Sequence, residues 1–589
     1  MKRLLTPFAV VGALIAGHAK ADCVFGKLAE IPVTMVGLRP LVSATINGAE
    51  VRFLADSGAF YSIITPGAAA ELGLHLSPAP FNFRMVGIGG DANASIAKVN
   101  QFTFGKVTLP NAEFLVGGSE VGNDAAGVLG QNILGYRDTE YDLANGVIRL
   151  MRAENCSGSL LAYWAKSGQY SIMNIGETTA RSPQISGTAS VNGVKLRVVF
   201  DTGAGVSFLS QAAARRAGID TNGPGVVDAG LMGGVGRHTV RSWIVPVDSF
   251  NIGDEQIRHT RLRIGATELP DADMLIGPDF FLSHRVYVAR SQHKLYFTYN
   301  GGPVFDLSRR PEATAAPAAA RSAPAAAQTG ATDPTDAEGF SRRGAALAAR
   351  GEFNQAIADF THAHELAPAE ERYFYQRAVA RLRNRQPILA MGDLTQALIL
   401  KPDDADALTT RAELRLAAAD RKDAIADLDA VSRLAAAEAD RRLTLAELYV
   451  RADEFASAID QFDLWIKAHP DDSRRSMALN GRCWARGMSG RDLEKALGDC
   501  DAALRMNAKS PAVLDSRGLV HLRLGDFDKA IADYDAALAQ RPHGAWSLYG
   551  RGVAKLKKGM SAEGKADIAA ATALQPKLPE EAKRRGIAP

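Results

Sequence analysis

One stretch of this chain is written twice. Residues 44–59 read ATINGAEVRFLADSGA and residues 189–204 read ASVNGVKLRVVFDTGA, an offset of 145 positions. Each copy predicts a strand, a two-residue Asn-Gly turn and a second strand, because Asn-Gly suits the turn that joins twisted antiparallel strands. Each second strand runs into Asp-Ser/Thr-Gly-Ala, placing Asp56 or Asp201 at a buried strand end where Gly58 or Gly203 permits a sharp turn. Two copies of one small all-β domain are therefore expected.

Further landmarks follow in the same order. Ser62-Ile63-Ile64 and Ser207-Phe208-Leu209 lead into short helical segments. Gly127-Val128-Leu129-Gly130 and Met274-Leu275-Ile276-Gly277 then precede alternating strands at Val147–Leu150 and Lys294–Phe297. Between the landmarks lie glycine-rich hairpins, one with Gly87, Gly89 and Gly90 and the other with Gly233, Gly234 and Gly236. Neither fits a dinucleotide or phosphate loop, since the first lacks the third glycine of GxGxxG and neither ends in GK[ST].

Over most of residues 28–300, twice over, the chain resembles retropepsin-like aspartic peptidases. The resemblance makes Asp56 and Asp201 the catalytic aspartates and Ser57 and Thr202 their supporting hydroxyls. Gly58, Gly203, Gly130 and Gly277 become structural glycines, and the glycine-rich hairpins become flaps over substrate. It implies two barrels forming a pseudo-dimer, with peptide or protein as substrate and no metal or organic cofactor.

Two such carboxylates suit peptide hydrolysis, which needs a base to activate water and an acid for the carbonyl oxygen and the departing amine. Carboxyls within hydrogen-bond reach share one proton and titrate as a coupled dyad. Tandem copies permit an intrachain pair. Pairing of each copy with its twin in a second molecule is the alternative. The non-enzymatic reading is a peptide-binding scaffold of the cell envelope on the same β fold.

The second half of the chain has a period of 34. Small residues recur at Gly344, Ala378, Ala412, Ala446, Gly518 and Gly552, and again at Ala356, Ala390, Ala424, Ala458, Ala530 and Gly564. Prolines close most units, at Pro368, Pro402, Pro470, Pro542 and Pro576. The pattern resembles tetratricopeptide repeats (TPRs), in which small residues let paired helices pack closely. Seven units are expected over 337–576, with 577–589 as a capping helix. Stacked repeats form a superhelix with a concave groove, where a protein partner is expected. An Ala/Pro-rich segment, 307–336, reads as a flexible linker between the two architectures. The β copies are assigned to 22–155 and 156–306.

Lys2 and Arg3 precede an apolar run to Gly17 and a small-x-small site at Ala19-Lys20-Ala21. That layout predicts a signal peptide over 1–21, cleaved rather than kept as an anchor, and a periplasmic or secreted protein. No later stretch reaches the roughly 20 apolar residues that a stable membrane span needs. A formal charge of +3 over 589 residues gives no reason to expect nucleic acid. Export permits disulfides, and proximity suggests Cys23 with Cys156 and Cys483 with Cys500. No Cys/His spacing suits zinc. His362 and His364 lack the HExxH order and are read as facing solvent.

Overall fold

Asn47-Gly48 and Asn192-Gly193 take positive φ at both residues, 51° and 89° in the first turn and 49° and 81° in the second. These turns join antiparallel strands in the two copies: Arg39–Ile46 with Ala49–Ala55, and Ser186–Val191 with Val194–Phe200. The computed structural model describes residues 22–80, 85–87, 90–122, 125–165, 168–178, 183–232, 239–269, 271–305 and 333–589. The expected signal peptide 1–21 and the expected linker up to residue 332 lie outside the described residues.

The N-terminal region is all β. In the first lobe an eight-stranded sheet curls until Arg39–Ile46 also pairs with Ala94–Phe104, so that it closes into a barrel. In the second, a seven-stranded sheet closes in the same way, through Ser186–Val191 and Val240–Ile252. A third sheet of six strands takes members from both lobes, and they meet where Thr139–Tyr141 pairs with Val286–Val288. This joint ladder fixes the lobes' mutual orientation through backbone hydrogen bonds.

The C-terminal region is a helical repeat solenoid. Among the described residues seven helix pairs run from Ala337–Ala349 with Phe353–Leu366 to Ala545–Lys557 with Ser561–Leu574, followed by Leu578–Arg584. The small residues mark close approaches, since a Cβ on Gly344 would press on Phe360 and one on Gly518 on Tyr534. A two-pronged Arg–Asp pair also recurs in every unit but one: Arg343–Asp359, Arg377–Asp393, Arg411–Asp427, Arg482–Asp499, Arg517–Asp533 and Arg551–Asp567. Planar guanidinium and carboxylate match prong for prong, which ties the two helices of a unit in register. In the fourth unit Leu445 and Gln461 hold these places, and Arg442 reaches Gln461 instead, at 2.7 Å.

A flexible linker leaves open whether the solenoid touches the lobes, and it does. Ala345, Leu347 and Phe360 of the first unit share one core with Met35, Phe250 and Phe305. An end repeat has no neighbour to cover its apolar face, and here the β region covers it. The fourth unit adds a polar contact at which Glu120 N–H donates to Asp472 at 2.9 Å. Disulfides join Cys23 to Cys156 and Cys483 to Cys500. His362 is exposed, but His364 is half-buried against Phe374, so only the first faces solvent as expected. Among the described residues no helix is long and apolar enough to cross a membrane, and no cluster of His, Cys, Asp and Glu is arranged to hold a metal.

Candidate active site

Both aspartates end strands in parallel ladders with the later apolar landmarks. Ala49–Ala55 pairs with Ala125–Leu129, and Val194–Phe200 pairs with Met274–Ile276. The ladders extend one residue further, through Asp56 N–H to Leu129 O at 2.9 Å and Asp201 N–H to Ile276 O at 2.8 Å. Each Asp then organises its own turn. Gly58 and Ala59 N–H donate to Asp56 Oδ1 at 2.9 and 2.8 Å, and Gly203 and Ala204 N–H to Asp201 Oδ1 at 2.9 and 3.0 Å.

Ser57 and Thr202 lock the copies together. Ser57 N–H donates to Thr202 Oγ1 at 3.0 Å, and Thr202 N–H donates to Ser57 Oγ at 2.9 Å. The hydroxyls themselves donate hydrogen bonds across the lobe boundary, Ser57 to Phe200 O and Thr202 to Ala55 O, at 2.8 and 2.7 Å. All four groups are buried and satisfied, which avoids the cost of orphaned polar atoms. Gly58 and Gly203 face the opposite lobe's carboxyl so closely that a Cβ on either would collide with it.

Asp56 and Asp201 are thereby brought into hydrogen-bond contact, both half-buried and both from one chain. Burial pushes Asp201 well above the usual aspartate range, and the charge of Asp56 beside it adds to that push. Burial also raises Asp56, while the hydrogen bond from Asp201 holds it down. A pair sharing one proton offers a base and an acid side by side.

The glycine-rich hairpins are described only in part. Gly87 and Gly90 pair in a short hairpin of Met85–Gly87 with Gly90–Ala92. Gly89, Gly233, Gly234 and Gly236 lie outside the described residues, although the strand before the second hairpin, Val227–Met232, is in place.

Reading the motifs alone misses the layer beneath. Ser62 donates to Asn132 Oδ1 through N–H and Oγ, at 2.8 and 2.9 Å, and Ser207 donates likewise to Asp279 Oδ1, at 2.9 and 2.7 Å. Aligning Gly130-Gln131-Asn132 with Gly277-Pro278-Asp279 would have shown this layer, and its asymmetry too. Asp279 is 4% exposed, and burial pushes its carboxyl up to about 6. A folded-state value above the unfolded one means the fold favours the protonated acid. Stability is therefore expected to fall as pH rises from about 4 to about 6, by about 2–3 kcal/mol from this group. Asp279→Asn, which mimics the first copy, should flatten that part of the stability–pH curve when urea unfolding is followed from pH 4 to 7.

Residues 42–136 match the aspartyl protease family, and residues 187–283 match the gag-polyprotein aspartyl protease family. Residues 518–559 match a tetratricopeptide repeat family. Similar solved structures include a tetratricopeptide repeat protein from Parabacteroides merdae, 16% identical over 42% of this chain and 96% of that one, with a TM-score of 0.33. Another is YrrB, a TPR protein with an unusual peptide-binding site, 17% identical over 38% and 97% of the two chains, with a TM-score of 0.21. No curated protein matches the chain.

Proposed function

We propose that this chain, which carries two aspartyl protease domains and tetratricopeptide repeats, is an exported aspartic endopeptidase that hydrolyses peptide bonds through water held by Asp56 and Asp201. The observation that carries the reading is the contact between the two carboxyls on a platform locked by Ser57 and Thr202. The ionised member takes a proton from the water as its oxygen attacks the peptide carbonyl. The protonated member hydrogen-bonds the carbonyl oxygen and stabilises the charge that develops there. Proton return to the amine then completes cleavage, with no covalent acyl-enzyme. Two intrachain disulfides and the N-terminal charge–apolar–small pattern support export to an oxidising compartment.

The repeats supply a surface for protein partners. Parts of the first and fourth units are engaged by the chain's own β region, so recruitment falls to the rest of the array and holds substrate near the cleft. The purified full chain should cut an unstructured polypeptide at mildly acid pH, and mass spectrometry in H₂¹⁸O should show label in the new carboxyl termini. Binding of the same polypeptides without any cleavage between pH 3 and 7 would favour the scaffold reading.

A further inference from the structure

The peptide groups around Asp56 are backed by donors. The Gly58 N–H that bonds Asp56 Oδ1 belongs to the same peptide unit as Ser57 O, and Gln131 Nε2 donates to that oxygen at 3.0 Å. The Ala59 N–H that bonds the same Oδ1 shares its peptide unit with Gly58 O, to which Gln184 Nε2 donates at 3.0 Å. Gln131 is buried, and its Oε1 accepts from Arg290 Nη2. A guanidinium has only donors, so this bond settles which end of the Gln131 amide faces Ser57. A positive charge thus heads a chain of amides, from Arg290 through Gln131 and the Ser57–Gly58 peptide to the Asp56 carboxylate. Hydrogen bonds in series inside a protein polarise and strengthen one another.

Among the described residues this chain of donors is one-sided. The register of the two copies sets Pro278 in the place of Gln131, and Pro278 has no N–H to give. Leu143 stands where Arg290 does, and Leu282 where Gly135 does. Gly135 is needed on the first side, because a Cβ there would press on Gln131 and Arg290. Arg39, in the place of Gln184, lies against Gly122 and feels the solenoid's Asp440 and Arg474.

We propose that Gln131, Gln184 and Arg290 are positioning residues that make the two aspartates inequivalent, holding Asp56 ionised and leaving the shared proton on Asp201. The proposal rests on the peptidase reading only for its consequence. Asp56 accepts the water proton while the water oxygen bonds the carbonyl carbon, and the carbonyl electron pair takes the proton of Asp201. Asp56 ends protonated and Asp201 ionised. The other titratable groups here are Tyr141, its hydroxyl 3.5 Å from Gln131 Nε2, and Asp138, which accepts Arg290 N–H at 2.9 Å and the Tyr287 hydroxyl at 3.2 Å. Burial pushes Tyr141 up to about 12, so it stays neutral. The stronger upward push on Asp201 agrees in direction.

The test compares full-length wild type with Arg290→Met, Gln184→Leu and Arg290→Lys. Two quantities are followed against pH: kcat and KM on a cleaved peptide, and the carboxyl ¹³C shifts of aspartate-labelled protein without substrate. Arg290→Met is expected to lower kcat on the order of tenfold with KM within about twofold, and to raise the acid limb of the profile by about one pH unit. The lower macroscopic pKa of the dyad should rise by the same amount in the ¹³C titration, with Arg290→Lys restoring most of both. Should Arg290→Met fail to fold, Gln184→Leu at its half-buried site carries the same expectation in smaller measure. An acid limb and a ¹³C titration that stay put in the folded variants overturn the proposal. If wild type cuts nothing but the titration moves as expected, the positioning role stands and the peptidase reading falls.

Discussion

Asp56→Asn and Asp201→Asn are each expected to lower kcat by about 10²- to 10⁴-fold, the range set by loss of a positioned acid–base group. An amide cannot take the water proton, and it cannot give one to the carbonyl oxygen. Either substitution therefore breaks the one-proton pair, whichever member it removes. The same variants should gain stability at neutral pH. Burial raises both carboxyls above the ordinary range, so the fold favours protonated acids and loses stability as pH rises past the unfolded value near 4. Asn stays uncharged at all these values and still offers an oxygen to the two turn N–H groups. Lost turnover with an unchanged or raised urea midpoint at pH 7 would mark an active site that trades stability for chemistry. If one substitution left kcat within about threefold of wild type, the pair would not be acting as a unit.

The juxtaposition of these carboxyls is legible in the sequence because short-range rules govern each half of it. Asn-Gly fixes the hairpin register, alternation buries the strand, and Gly58 or Gly203 lets the opposite lobe approach, so each copy encodes its turn within about sixteen residues. Repetition then supplies the pairing, since a locally encoded surface written twice can close on itself. The solenoid is legible for a similar reason, as its period sets every neighbour. Contacts between distant positions carry no such signal. Arg290 reaches Gln131 across 159 residues, Gln184 reaches Gly58 across 126, and Glu120 meets Asp472 across 352. Nothing local to Arg290 or Glu120 names a partner. The Arg–Asp pairs are a different case. They recur at the period of 34 on either side of the fifth unit, and following small and apolar positions alone passes over them.

Asp472→Ala is expected to destabilise the full chain by about 1–3 kcal/mol, the cost of leaving the Glu120 and Arg474 N–H donors without their acceptor, since half-buried Arg474 keeps Asp440 at 2.7 Å. Asp472 is 3% exposed and accepts four hydrogen bonds. They come from Glu120 N–H at 2.9 Å, Arg474 N–H at 2.7 Å, Arg474 Nε at 3.1 Å and Arg474 Nη2 at 3.0 Å. Burial pushes this carboxyl up, but Arg474 outweighs it and holds the group below the usual range. That contribution is present above the unfolded value near 4 and is lost as pH falls through the depressed one. His469 bounds the other side. Its Nδ1 lies 2.8 Å from Trp465 O and its Nε2 3.3 Å from Glu120 Oε1, so both nitrogens face acceptors and the ring serves both only when doubly protonated. Burial pushes the imidazole down, yet Glu120 outweighs burial and the net shift is upward. This contribution is present below the unfolded value near 6.5 and is lost as pH rises through the folded one. Lobe and solenoid should therefore hold each other best between about pH 4 and 6.5. Urea unfolding across that range should give one transition for wild type and two for Asp472→Ala, while His469→Gln should lose only the fall at higher pH. A single unshifted transition in Asp472→Ala would mean that the polar contact at the fourth unit does not hold the lobe.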